Sequence, residues 1–476
     1  MKNNSSGLPK FAIMFANTAF VVGLVFSVFV VILYVYRLAY PAGGPYPDHM
    51  MASVYKYYFK MILVGGIFAT LFGLVLRINN KIKVSLSVSL VTAGIAVYGF
   101  ETYEVFRKQD SQRAIAARQM GVPYDTRTKV QVLKDLSDSG IKAHPNPGAI
   151  LHRTSNGLNA TDGWLHNFGG ISNITTIFVQ NESGYYPIVE TDEHGFINPK
   201  GLYKESNVDV VLTGDSFAEG YSVRSNETVS AVLRNSGFKV INLGRGGNGP
   251  FRELAVVKEY AEPLKPTIVL WLYFTNDFDD LRTEMESPGY TLFFRKYLNE
   301  NGFSQHLMSR QKEIDSVLIS YIQNEMAKEK ERERAKIINL FQLTNFRSRI
   351  NLTLAPTPAP TPAPAARPIF KRILQTSKQI VSRWGGKLYF VYLPEYGRYS
   401  TGLEDINREF VMRTATELEI PIIDIHREVF DPHPDPLHLF PFRLRGHYNA
   451  EGYRLVAEAI GNKLEADGFI PTNSAQ

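Results

Sequence analysis

Residues 11–36 carry no charged side chain, and the run ends at Arg37. In lipid, every backbone amide must be satisfied within the segment, so such a run has to be helical. At about 1.5 Å per residue it is long enough to cross a bilayer. It is too long for the apolar core of a signal peptide, and no small-residue cleavage pattern follows it cleanly. Two further uncharged runs, 61–76 and 84–100, lie between Lys60 and Arg77 and between Lys83 and Glu101. They predict a membrane region over 1–105 with three helices, at 11–36, 59–77 and 84–103. Gly65, Ala69 and Gly73 recur every four residues, a spacing that lets another helix approach one face closely. Lys2 and Lys10 precede the first helix, and Arg77, Lys81 and Lys83 crowd the loop between the second and third. Basic short loops stay cytoplasmic. Three spans then put everything after residue 105 outside the cytoplasm.

The full chain has 476 residues, of which 44% are hydrophobic, enough for two or three units. The net charge of +6 is scattered, apart from a run near 328–336 where basic residues alternate with glutamates. That pattern argues against nucleic-acid binding. The sequence has no cysteine, which excludes disulfides, thiolate metal sites and a cysteine nucleophile but leaves the compartment open.

Residues 106–205 are polar and rich in Gly, Asn and Pro. They read as a stalk followed by a small β-rich lead-in, with TTIFVQ at 175–180 as one strand. The pattern changes within 206–470. Apolar, β-branched runs stand at 208–213, 239–242, 267–273, 387–393 and 420–424. Helical patterns separate them at 226–236, 251–261, 370–384 and 402–418, and a last one follows at 450–465 behind the cap candidate Asn449. Buried strands alternating with helices imply a parallel sheet covered on both faces. An insertion over 281–369 interrupts the order. It holds a charged helical segment and the Pro-Ala-Thr run 355–366, which reads as an extended, semi-rigid linker.

A polar motif follows four of the strands. GDSF holds Gly214, Asp215 and Ser216; NLGRGGNGP spans 242–250; FTND holds Asn276 and Asp277; GHYNAEGY spans 446–453. In such sheets, ligands bind beyond the carboxyl ends of the strands. This order of blocks resembles the SGNH (GDSL-like) hydrolase superfamily. TDEHGF at 191–196 is similar to bacterial membrane-bound members as well. The resemblance implies an α/β, flavodoxin-like three-layer domain behind the membrane helices. It implies Ser216 as nucleophile and His447 as its base. It also implies an oxyanion hole built from Ser216, Gly247 and Asn276, with no cofactor and no metal. The residue types suit that chemistry. A serine hydroxyl needs a base to take its proton, and a developing oxyanion needs preorganised donors.

The orienting acid is where the sequence departs from the superfamily. An Asp is expected two or three residues before the histidine, but Leu444 and Arg445 stand there. Three readings stay open. Asp435 reaches His447 through a folded loop, or His438 of the D-x-x-H pair is itself the base, or the site is a Ser–His dyad held by a backbone carbonyl. Asp215 reads as a turn-holding residue. Asp277, Asp279 and Asp280 read as solvated or helix-capping rather than metal-binding, His433 and His438 as incidental, and Glu219 as an exposed loop acid. Arg245, Asn248 and Arg398 are candidate pocket residues.

Functionally, the resemblance implies an extracytoplasmic esterase or O-acyltransferase acting on an O-acylated glycan or lipid-linked substrate. A transferase with only three spans would need a membrane acyltransferase partner. A non-catalytic glycan-binding or partner module on the same fold is the third class.

Overall fold

A computed structural model describes residues 8–40, 48–106, 112–147, 158–160, 163–178, 181–204, 207–286, 288–343, 347, 366–402 and 404–471. The Pro-Ala-Thr run up to residue 365 lies outside the described residues. The chain divides into two compact units, 1–109 with 327–362, and 110–326 with 363–476.

In the first unit, helices α1 (Lys10–Ala39), α2 (Asp48–Val75) and α3 (Asn80–Phe106) follow one another. All three are long and apolar enough to cross a membrane, over Lys10–Ala39, Val54–Val75 and Asn80–Tyr103. Phe26, Ile32, Phe59 and Ile95 are exposed, as lipid-facing side chains would be. The second helix begins well before the expected residue 59, because the polar stretch ahead of it continues the same helix. Of the small-residue face, Gly65 is the member under pressure. A Cβ there would stand 3.2 Å from the Ser27 carbonyl oxygen and 2.9 Å from Val31, whereas Gly73 faces open space. Lys83 is buried rather than in a loop. Its ammonium donates to Asn17 Oδ1 at 2.9 Å and to the Leu76 carbonyl at 3.1 Å, so a buried charge is met by polar partners.

The second unit opens with helices α4 (Gln112–Met120) and α5 (Lys129–Asp138). Thr128 caps α5 in a reciprocal capping box with Gln131. Short strands follow: β1 (Ala143–Pro145), β2 (Leu158–Ala160), β3 (Gly163–Leu165), β4 (Thr175–Ile177) and β5 (Ile188–Glu190). Strands β1, β4 and β5 form a small mixed sheet. This segment is not a free stalk. Leu165, Phe168, Ile171 and Phe196 sit in the same buried cluster as the central strands. The TDEHGF turn is the anchor. Asp192 accepts from the amides of His194 and Phe196 and from Asn198, and Asn198 bonds both the amide and the carbonyl of Asn242. Burial raises the Asp192 carboxyl to about 6 against the pull of those donors.

The central sheet contains β6 (Val210–Gly214), β7 (Val240–Asn242), β8 (Ile268–Phe274), β9 (Lys387–Leu393) and β10 (Ile422–Asp424). All its pairings are parallel, in the order β10-β9-β8-β6-β7, the flavodoxin-like arrangement with its switch point beside β6. Side chains alternate between the two faces. Val211, Val269, Trp271 and Phe390 pack on one side with the helix Ala366–Arg383. Val210, Leu212, Leu270 and Val391 pack on the other with the last helix, Ala450–Ala466. The first half of the 281–369 insertion belongs to this core, since Phe294, Tyr297, Leu307, Ile314 and Leu318 are buried in it.

Candidate active site

Strand β6 runs into a turn too tight for a side chain at Gly214, where a Cβ would meet Ala218 Cβ and the Leu272 carbonyl oxygen at 2.8 Å. Asp215 then accepts the Phe217 amide at 2.8 Å and caps the one-turn helix α6 (Ser216–Glu219). Between Val210 and Val223, Ser216 is the single residue that is not fully buried. The second block repeats the pattern. From Val240 to Ala261, only Gly247 escapes full burial. Asn276, at the end of β8, is half-buried beside the buried Asp277. Each block thus exposes a short stretch at its strand end and buries what surrounds it.

His447 comes from the segment ahead of the last helix, which Asn449 caps by accepting the Gly452 amide. Its Nε2 lies 2.7 Å from Ser216 Oγ. The rings of Phe217 and Tyr221 flank the imidazole at 4.7 and 5.1 Å. On the far side of the ring is Glu182. Its Oε2 stands 3.0 Å from Nδ1 and accepts the His447 backbone amide at 2.8 Å and the Ser222 hydroxyl at 2.9 Å. Arg113 of α4 reaches Glu182 Oε1 at 3.4 Å and donates to the Arg445 carbonyl at 2.7 Å. Burial alone would raise the Glu182 carboxyl, but the contacts with His447 and the Arg113 charge outweigh it and hold the group at about 2. The fit depends on Gly446, where a Cβ would stand 2.5 Å from Arg113 Nη2 and 2.6 Å from Glu182 Oε2.

Several expectations need correction. Asp435 does not reach the imidazole. Its side chain is exposed and ion-paired with Arg443, whose guanidinium holds its carboxyl below the usual range. A carboxylate already matched to an arginine in water has no drive to fold inward. His438 does not face Ser216, because the His447 ring occupies that place. The backbone-carbonyl dyad is likewise replaced, since Nδ1 meets a carboxylate. Glu182 was missed. It lies 265 residues before His447, in a polar stretch with no motif around it, and only the docking of the lead-in brings it there.

Of the acids near Asn276, Asp279 is solvated as expected, whereas Asp277 and Asp280 are withdrawn from water. Asp277 is fully buried and accepts the Phe274 amide at 3.1 Å. Asp280 Oδ2 accepts from Asn276 Nδ2 at 2.8 Å. Burial, more than neighbouring carboxylates, pushes Asp280 up to about 8, and burial pushes Glu284 to about 7 against the pull of Arg252. Among the described residues, no group of three or more His, Asp or Glu is arranged to hold a metal. Glu219 is buried rather than exposed, and so are Arg245 and Asn248. Arg398 sits with Glu404 and His426.

A hydroxyl on an imidazole, that imidazole on a carboxylate, and half-buried donors at two neighbouring strand ends make a constellation suited to acyl transfer. Neither a family model nor a curated protein matches the chain. Solved structures do resemble part of it. A member of the lipolytic protein G-D-S-L family from Veillonella parvula DSM 2008 shares 15% identity over 53% of this chain and 94% of its own, with a TM-score of 0.30. The acetyl xylan esterase AlAXEase shares 13% over 54% and 100%, with a TM-score of 0.32. A lipase/acylhydrolase from Enterococcus faecalis shares 14% over 56% and 99%, with a TM-score of 0.31. At such scores the likenesses carry no functional conclusion. What the structure itself shows is a parallel sheet of flavodoxin-like order, with the four blocks that resemble the SGNH (GDSL-like) hydrolases at its strand ends and Ser216 in contact with His447.

Proposed function

We propose that this chain is a membrane-anchored, extracytoplasmic serine esterase or O-acyltransferase that works through a Ser216–His447–Glu182 triad on O-acylated glycans or lipid-linked substrates. The observation that carries the proposal is the continuous chain of contacts from Ser216 Oγ to His447 Nε2 and from His447 Nδ1 to Glu182. His447 Nε2 takes the hydroxyl proton as Ser216 Oγ attacks the ester carbonyl. The Glu182 carboxylate holds the ring orientation and stabilises the imidazolium that forms. In this reading the backbone amides of Ser216 and Gly247 receive the oxyanion, together with the side-chain amide of Asn276, which also donates to Asp280. Collapse returns the proton from Nε2 to the leaving alkoxide and leaves an acyl-serine. Water, or an acceptor hydroxyl, then gives its proton to Nε2 and attacks the acyl carbon, and collapse returns that proton to Ser216 Oγ as the acyl product leaves. Esterase and transferase differ only in that second nucleophile.

The extracytoplasmic placement rests on the basic loops, and the glycan on the resemblance of the four sequence blocks. An alkaline phosphatase fusion after residue 110 should be active and one at 77–83 inactive; the reverse pattern overturns the topology. Detergent-solubilised full-length protein should react with a fluorophosphonate probe, and Ser216→Ala should lose that reaction while keeping its melting temperature. A wild-type protein that neither reacts with the probe nor hydrolyses a p-nitrophenyl ester would leave a binding module as the better reading. Mass analysis of products from an acetylated oligosaccharide, with and without an unacetylated acceptor, separates release from transfer.

A further inference from the structure

The turn that carries Gly247 is tied to the helix that carries Ser216. Asn242 Nδ2 donates to the Ala218 carbonyl at 2.7 Å, and the Arg245 amide donates to the Gly214 carbonyl at 3.1 Å. Gly244 lies so close that a Cβ would stand 2.5 Å from Ala218. The Asn248 amide closes the turn on the Arg245 carbonyl at 3.0 Å, with Gly247 at a φ of 77°, a conformation that glycine adopts without strain. The last tie before Gly247 is ionic. Glu219 Oε2 accepts the Gly246 amide at 2.5 Å, and its Oε1 accepts from Asn146 at 2.8 Å and from Arg245 Nη1 at 3.2 Å.

These groups are almost completely buried, with Glu219 1%, Arg245 3% and Asn146 0% exposed. A buried ion pair adds little stability over a packed apolar pair, because desolvation cancels most of the attraction. What this one does add is geometric. Glu219 and Ser216 sit at the two ends of a single helical turn. Ser216 supplies one oxyanion amide, and Glu219 holds the residue beside the other. Tyr221 backs the same turn, since a Cβ on Gly246 would meet its ring at 2.7–2.9 Å, and that ring also flanks His447.

From this juxtaposition we infer that Glu219 is a positioning residue that locks the Gly247 amide in register with the Ser216 amide, so that the two act as one oxyanion hole. Asn146, from the strand-bearing lead-in, and Arg245 hold Glu219 in place for that purpose. The inference rests on the acyl-transfer reading of the site.

The test compares Glu219→Met, which has no acceptor for the Gly246 amide, with Glu219→Gln, whose carbonyl oxygen still has one. Both are assayed as solubilised full-length protein on a p-nitrophenyl ester and with the fluorophosphonate probe. Loss of one oxyanion donor costs about 10²–10³ in kcat. Glu219→Met should therefore lose about a hundredfold or more in kcat and in probe reactivity, with KM within about threefold and the midpoints of the pH–rate profile unchanged. Glu219→Gln should recover most of the loss. If Glu219→Met does not fold because Arg245 is left unpaired, Glu219→Met with Arg245→Met removes both charges and should show the same kcat loss. A folded variant lacking the acceptor but retaining wild-type kcat overturns the inference and leaves the triad standing. A wild-type protein inert to both reagents overturns the triad and the inference together.

Discussion

The loop around Asp435 and the loop around Glu182 both offer a carboxylate to the histidine segment. The first lies in the same polypeptide stretch as His447, twelve residues upstream. The second arrives from a separate subsheet. The Asp435 side chain is 42% exposed and spends its charge on Arg443 in water. Glu182 is 8% exposed and accepts from His447 twice and from Ser222, with Arg113 behind it. Proximity along the chain therefore counts for less than desolvation. A carboxylate can orient an imidazole only where water does not compete, and the docked lead-in is what excludes water here.

The sharpest way to break this comparison is Glu182→Gln. An amide of the same shape favours the wrong imidazole tautomer and no longer stabilises the imidazolium. The expected loss in kcat is on the order of 10⁴-fold, as for such changes in serine proteases. A loss within about tenfold would mean that the site works as a dyad.

Gly446→Ala comes next. The added Cβ overlaps Glu182 Oε2 and Arg113 Nη2, so the carboxylate has to retreat from Nδ1. Misplacement on that scale should lower kcat by about 10–100-fold. Unchanged kcat would show that the acid tolerates movement.

The pH dependence of stability is a smaller and independent readout. The Glu182 carboxyl is held at about 2 in the fold, below its ordinary 4.5. A depressed carboxylate stabilises the folded state above its unfolded value, and that stabilisation is lost as pH falls through the folded one. The wild-type melting temperature should thus drop more steeply than that of Glu182→Gln between about pH 5 and about pH 2. Parallel curves would remove the special status of this acid.

The smallest effect belongs to Asp435→Asn. It breaks an exposed pair, and kcat should stay within about twofold of wild type. A loss comparable to that of Glu182→Gln would reverse the comparison.

Much of the fold was legible because its signals are local. The uncharged runs around 11–36, 61–76 and 84–100 form helices long and apolar enough to cross a membrane. The β-branched runs that became β6 to β10 are each buried on both faces and read as such. The positions of Ser216, Gly247 and Asn276 beyond strand ends, and of His447 ahead of a helix cap, were legible because each stands in its own short motif. The buried standing of Glu219 was not, because GDSFAEGY gives no sign that Asn146 and Arg245 will enclose that side chain.

By itself, then, the sequence determined three helices long and apolar enough to cross a membrane, the parallel sheet and the residues at its carboxyl edge, since periodicity and strand-end motifs act within a few residues. Only the tertiary structure decided which carboxylate meets His447. That choice depends on which acid is withdrawn from water and which stays paired in it, and the contacts that settle it join segments 265 residues apart. It also decided that Glu219 is a clamp rather than a surface acid, because its burial comes from the lead-in packing over α6.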